Sequence, residues 1–156
     1  MSSLPKTPIT IESEKALLGS LIIDSESWEK ISNIITPADF YDSKNRDVFS
    51  EIYDLQINDQ PLDILILEES LKSRDKLLKI GGIEYLKELA KTVPTSAHII
   101  KHAEIVREKS VMRKLISAST RTIESIHEDS SEDLRTILDK AEADIFSIAS
   151  DTKKHE

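Results

Sequence analysis

The sequence predicts an all-α fold: a small N-terminal helical bundle followed by an antiparallel helical hairpin. Three observations predict it. Charged residues make up 32% of the 156 residues against 38% hydrophobic, with three glycines, a balance that suits amphipathic helices with thin cores better than sheets. Apolar residues recur at spacings of three and four instead of alternating. Caps and breakers (Thr36-Pro37, Asp63, Gly81-Gly82, Pro94) fall at the ends of those periodic runs. The expected organisation is a bundle over 1–95, a long helix and hairpin over 96–150, and the opening of a linker over 151–156.

In order along the chain, Thr10 is placed to cap a first helix, with Glu12 and Glu14 in its positive first turn and Leu17, Leu18, Leu21 and Ile22 on one face. A second helix is expected from about Ser25, carrying Trp28, Ile31, Ile34 and Ile35. Thr36-Pro37-Ala38-Asp39 sets a cap, a first-turn proline and an acid three residues after the cap, which starts a helix of as little as one turn. Residues 43–58 form a third helix, with Val48, Phe49, Ile52, Tyr53 and Leu55 on its apolar side. Pro61 breaks it and Asp63 caps Ile64 to Ser73. The run Leu62–Leu67 fits a buried strand by periodicity alone, but the polar continuation Glu68-Glu69-Ser70-Leu71-Lys72 favours a helix. Gly81-Gly82 resets the chain before Ile83–Val93. Pro94, with Thr95 or Ser96 as cap, opens a long helix from Ala97 to about Glu128, about 48 Å at 1.5 Å per residue.

A break is expected at Asp129-Ser130-Ser131, with Ser130 and Asp133 as the next cap and acid. The final helix, Glu132 to about Ser150, spans about 27 Å. The last half of the long helix therefore pairs with it as a hairpin, leaving the first turns to pack on the bundle. On the final helix Leu134, Ile137, Leu138, Ala141, Ile145 and Ile148 form one stripe, with Phe146 about 110° away. On the long helix Ile105, Met112, Leu115, Ile116, Ile123 and Ile126 form another, widened by Val111 and Ala118 to about 160°. One antiparallel partner covers a narrower seam than this. The surplus either folds back on the bundle or meets a second copy in a four-helix contact, and the second is favoured because a two-sided stripe is uncommon on a free surface.

Little chemistry is expected. With only Gly19, Gly81 and Gly82, neither a P-loop nor a Rossmann turn can be built. Cysteine is absent, which excludes disulfides, thiolate catalysis and cysteine-ligated metals. The net charge of −8 gives no sequence-wide pull toward nucleic acid or anionic membranes. His98 and His102 share a helical face, but no metalloprotease Glu lies between them, so two solvated histidines are expected instead of a metal site. The spacing of Asp42, Asn45 and Asp47 is wrong for a calcium loop. The cations Arg107, Lys109, Arg113 and Lys114 sit among Glu104 and Glu108, which suits ion pairing on a solvated helix. The N-terminus lacks the apolar stretch of a signal peptide, and Leu17–Ile23 and Leu62–Leu67 are too short to span a membrane. No catalytic residue, cofactor or metal ligand is expected in this chain, and an interaction module is.

Several stretches read together resemble one family. Ile11–Ser20 resembles the opening helix of the N-terminal domain of DnaB, the bacterial hexameric replicative DNA helicase. Pro37-Ala38-Asp39-Phe40-Tyr41 is similar to its Pro-x-Asp-Phe-Tyr turn. Gln60–Asp63, Ile80–Leu86, and Val93–Thr95 with Ala103–Lys109 continue the likeness in order, over about residues 8–150. Two departures stand out: His102 where the family often has Tyr, and Asn45 where it often has His.

The resemblance implies a collar domain whose hairpins pair between subunits, giving a ring that is a trimer of dimers. It implies docking of the C-terminal domain of primase and, in some bacteria, of a helicase loader, in the bacterial cytoplasm with no membrane contact. It implies too that ATP and Mg serve a RecA-like motor domain absent from this chain, through which DNA is contacted. For self-association the expected residues are Met112, Leu115, Ile116, Ile123, Ile145, Phe146 and Ile148. For primase docking they are Tyr85, Arg113 and Arg121, an aromatic and two arginines of the kind that anchor interfaces. The competing expectations are a free-standing helical adaptor with no motor, and a small helical metal-dependent hydrolase using His98 and His102.

Overall fold

A computed structural model describes residues 6–127 and 131–154. Among these residues there are eight α-helices, two 3-10 turns and no strand, and no helix is long and apolar enough to cross a membrane. Contacts divide the chain into two units: residues 9–107, and residues from 108 onward together with the segment up to Pro8. The division falls within the long helix and not at the Pro94 turn, because Ile99, Ala103 and Val106 are buried in the bundle core.

The bundle starts with α1 (Ile11–Ile23). Thr10 precedes it, but its side chain makes no capping bond; its carbonyl accepts the Glu14 N–H at 3.1 Å. Leu17, Leu18 and Leu21 are fully buried. The expected second helix is interrupted: a 3-10 turn at Ser25–Ser27 leads into α2 (Trp28–Ile31). Pro37 requires an extended residue before it, and Thr36 (φ −130°, ψ 163°) complies, so the helix cannot run on. Ile31 and Ile35 still reach the core. Trp28 packs on Phe49 and Tyr53 with ring centroids 5.7 and 5.9 Å apart.

Pro37–Asp39 is a single 3-10 turn, in which the Asp39 carboxylate accepts the Thr36 N–H at 2.9 Å and its hydroxyl at 3.2 Å. In α3 (Ser43–Ile57) Asp42 is the cap, accepting from the N–H groups of Lys44 and Asn45. In α4 (Ile64–Ser73) Asp63 accepts the Ile66 N–H at 2.8 Å, so the apolar run is helical as expected. The short α5 (Leu77–Ile80) has no counterpart in the sequence expectation; it lies between the left-handed residues Asp75 and Gly81.

α6 (Gly82–Ala90) stops three residues before Val93. The Thr92 hydroxyl takes the Glu88 carbonyl at 3.1 Å, and Pro94 holds Val93 out of the helical region. Gly19 of α1 lies so close to α6 that a Cβ there would sit 2.2 Å from the Leu89 carbonyl oxygen. α7 (Ile99–Ser125) begins two residues later than Ala97, because the Ser96 hydroxyl donates to Asp24 at 2.6 Å instead of capping.

In the second unit, α7 ends at Ser125 and α8 runs from Leu134 to Lys154. Glu128 and the expected break residues Asp129 and Ser130 lie outside the described residues. Asp133 itself caps α8, accepting the Thr136 N–H at 3.0 Å, which corrects its expected place in the first turn. Residues 151–154, where a linker is expected to open, are helical. α8 continues because the Thr152 hydroxyl bonds the Ile148 carbonyl at 2.9 Å and Asp151 pairs with Lys114 at 3.4 Å.

Candidate interaction surface

Two ion pairs define how α8 lies on α7: Lys114–Asp151 at 3.4 Å and Arg121–Asp144 at 3.2 Å. With residues about 100° apart, Lys114, Ala118, Arg121 and Ser125 line one side of α7. Ala118 is buried there, and its small side chain permits close approach. The expected apolar stripe points elsewhere. Met112, Ile116 and Ile123 centre about 180° from that line, with Leu115 and Ile126 on one flank. α8 thus packs on the polar, small-residue side of α7 and leaves the large side chains uncovered.

The stripe expected on α8 divides in two. Ile137, Ala141 and Ile148 lie on the side of Asp144 and Asp151, and are half-buried. Leu134, Leu138 and Ile145 lie about 80° around the helix and are exposed, with Phe146 about 100° further on. Ile123, Ile126, Leu134 and Phe146 expose 64% to 74% of their surface. Burying one such side chain completely contributes about 1.5–3 kcal/mol. Of the seven residues expected in self-association, Met112, Leu115, Ile123, Ile145 and Phe146 are exposed, and Ile116 and Ile148 half-buried. Leu134, Leu138 and Ile126 share the exposure without having been chosen; their stripe membership was the available signal.

The docking residues fare unevenly. Arg121 is exposed and paired with Asp144, while Arg113 donates to the Pro8 carbonyl at 2.8 Å. Tyr85 is a correction: it is 7% exposed, so it cannot anchor a partner. It faces inward because Tyr85, Leu86 and Leu89 make up the buried side of α6. Its hydroxyl donates to Asn45 Oδ1, the Asn45 amide donates to Glu14 Oε1 at 3.0 Å, and Glu14 Oε2 accepts the Tyr41 N–H at 2.7 Å. Lys44 and Lys15 lie over the ring at 4.6 and 5.9 Å. Burial, then the charges of Asp42, Glu88 and Glu14, raise the phenol's pKa above its usual value. This buried polar chain links α1, α3 and α6, and sequence reasoning missed it.

A cleft of about 730 Å³ opens near the α7 terminus, where four of its lining charges are paired, Arg121 with Asp144 and Lys140 with Glu132, and Glu124 also lines it. His102 is half-buried; burial, then the neighbouring His98, hold its pKa below the usual value. Among the described residues no three His, Cys, Asp or Glu side chains converge as metal ligands. The arrangement offers apolar faces for contact.

Residues 6–108 match the model of the DnaB-like helicase N-terminal domain. The chain is 36% identical over 142 residues to the replicative DNA helicase DnaB of Haemophilus influenzae, covering 91% of this chain and 30% of that one. It is 34% identical over 151 residues to DnaB of Geobacillus stearothermophilus, covering 95% and 32%. The chain thus spans about a third of the length of the curated relatives it matches. Its fold is similar to the crystal structure of the N-terminal domain of DnaB helicase from Mycobacterium tuberculosis, with a TM-score of 0.85, 30% identity, and 91% and 99% of the two chains covered. It is also similar to a DnaB-like replicative helicase solved in a study of its interactions with primase, with a TM-score of 0.73, 25% identity, and 89% and 31% covered. From the Pro-x-Asp-Phe-Tyr turn to the helical hairpin, the chain belongs to the family of DnaB-like helicase N-terminal domains.

Proposed function

We propose that this domain is the collar of a replicative helicase, pairing subunits through its hairpin and docking primase or a loader during DNA replication in the bacterial cytoplasm. The observation that carries this reading is the uncovered apolar surface on α7 and α8. α8 occupies the polar side of α7, so Met112, Leu115, Ile116 and Ile123 need another cover, and a second hairpin presenting the same stripe fits as an isologous partner. Ile145 and Phe146 give α8 an uncovered face of its own, while Ile148 lies on the half-buried side of α8 that meets α7. Pairing by twos, repeated three times, gives the trimer of dimers that the family resemblance implies. ATP hydrolysis with Mg, unwinding and DNA contact belong to a motor region outside this chain. Arg121 is the favoured primase contact, with Arg113 eight residues earlier on the same helix; Tyr85, buried in the bundle, is not one.

Sedimentation velocity across a concentration series tests the pairing. The wild-type chain is expected to associate, and Ile123→Asp with Phe146→Asp to weaken association at least tenfold without loss of helical signal. A wild-type chain that stays monomeric at high concentration, or a double variant that associates as before, overturns it. Arg121→Glu with Asp144→Arg, which keeps the ion pair with its charges exchanged, is expected to weaken binding of the primase C-terminal domain while leaving sedimentation unchanged.

A further inference from the structure

Leu78 is 91% exposed, the largest value among the exposed large hydrophobic residues of the structure. It sits on the single turn α5, which Asp75 (φ 58°) before it and Gly81 (φ 108°) at its end set apart from α4 and α6. Its surroundings run against the charge of the chain. Residues 72–79 carry four cations and one acid in a protein of net charge −8. Arg74 is held by Glu51 and Asp54, and Lys79 reaches Asp47 at 3.6 Å. Lys72 and Lys76 enter no ion pair among the described residues.

On the opposite face of α3 the chemistry is inverted. A cleft of about 690 Å³ lies between the Ser25–Ser32 segment and Gln56–Leu62. Glu26, Glu29 and Asp59 on its walls enter no ion pair among the described residues, and within its mostly polar lining the half-buried Trp28 and Pro61 are apolar members. The tip lies along one face of α3, where Arg74 reaches Glu51 and Asp54 and Lys79 reaches Asp47, while Gln56, about 180° around the helix from these acids, marks the cleft. The tip of a copy therefore cannot enter that copy's own cleft.

We propose that the cationic Leu78 tip of one copy seats in the acidic Trp28 cleft of the next, a head-to-tail contact between bundles. The occupant is a second copy because both halves of the match, opposite in charge and each carrying an apolar side chain, stand on one chain on opposite faces of one helix. Leucine against indole supplies the apolar contact, and lysines against three carboxylates set the register and make it salt-sensitive. Such a contact is heterologous, so it propagates into a ring or a filament, whereas isologous hairpin pairing closes at two. It does not rest on the hairpin reading.

The absence of native cysteine allows a direct test. Lys76→Cys and Glu29→Cys chains, mixed and oxidised, are expected to give a heterodimer at least tenfold above the product of either alone. An equal yield, or none, overturns the proposal. Charge reversal supplies the second arm, in chains also carrying Ile123→Asp and Phe146→Asp so that hairpin pairing is removed. Lys72→Glu with Lys76→Glu, and separately Glu26→Lys with Glu29→Lys, are each expected to lower association at least tenfold in sedimentation, and mixing the two to restore it. No loss, or no recovery on mixing, overturns the contact. Failure of the hairpin reading shows differently, as unchanged association in the unreversed background chain. Lys72, Glu26 and Glu29 are exposed and Lys76 is half-buried with no ion pair among the described residues, so circular dichroism is expected to match that of the wild type.

Discussion

Arg107 Nη1 lies 2.8 Å from Asp39 Oδ1, joining the first half of α7 to the 3-10 turn at Pro37–Asp39 across 68 positions of sequence. Asp39 is fully buried and Arg107 nearly so. Removing the cation strands a carboxylate in the core, so Arg107→Ala is expected to cost about 3–5 kcal/mol. Urea unfolding at neutral pH measures it, and a loss below about 1 kcal/mol would refute the role. Replacing both partners, Arg107→Met with Asp39→Asn, is expected to cost less than the single change, because no charge is left behind.

Glu14 accepts from the Tyr41 N–H, the Asp42 N–H and the Asn45 amide in a buried site. Glu14→Ala leaves these donors without their acceptor, at an expected cost of about 3 kcal/mol. Tyr85→Phe removes one hydroxyl and keeps the ring, so a cost of about 1 kcal/mol is expected. Guanidinium melts of both variants check the order, and a Tyr85→Phe protein less stable than Glu14→Ala would contradict it.

Gly19 sets the separation of α1 from α6. A methyl group there meets the Leu89 carbonyl oxygen at 2.2 Å and its carbon at 3.2 Å, both backbone atoms that cannot rotate aside. Gly19→Ala is expected to destabilise by about 2–3 kcal/mol despite the better helix propensity of alanine. A thermal melt in which the variant is as stable as the wild type would show that the two helices separate freely.

His102 offers a pH signature. Its folded-state pKa lies below the usual 6.5, first through burial and then through His98. The unfolded chain therefore takes up this proton first. The stability it contributes is full above about pH 6.5, declines as pH falls toward the folded value, and is lost below it. Solvent screening at this half-buried site keeps the effect under about 1 kcal/mol. Two-dimensional NMR should find the ring titrating below 6.5, and His102→Gln should flatten the change in melting midpoint between pH 7.5 and 5.5. A ring titrating above 6.5 would reverse the sign.

Local signals were the readable part of this fold. Asp42 was not singled out as a cap, yet Asp63, Pro61 and the run Val48–Leu55 placed α3 and α4 within a residue or so, because a cap and a periodic face act over one or two turns. The second helix was overextended because the apolar spacing of Ile31, Ile34 and Ile35 persists beyond the point where Pro37 stops the backbone. α5 escaped notice since a four-residue turn has no periodicity to detect. The chain Glu14–Asn45–Tyr85 spans 31 and 40 positions and leaves no local trace, so the sequence offers Tyr85 only as an anchor and Asn45 only as a departure from the His frequent in the family. On the hairpin, the stripe of α7 was legible but its direction was not. Nothing in the spacing says that the ion pairs of Lys114 and Arg121 would draw α8 onto the side of Ala118.

α7 is one continuous helix whose first turns carry core side chains and whose later turns carry uncovered ones. Amide hydrogen exchange therefore has two clocks along a single rod of hydrogen bonds. Between Ile99 and Arg107 the N–H groups open only when the bundle unfolds, whereas beyond Met112 they open by local fraying, at a rate set by whatever covers the stripe. A backbone that is structurally uniform thus becomes a reporter of occupancy: the slowing of its second half records how long a partner stays.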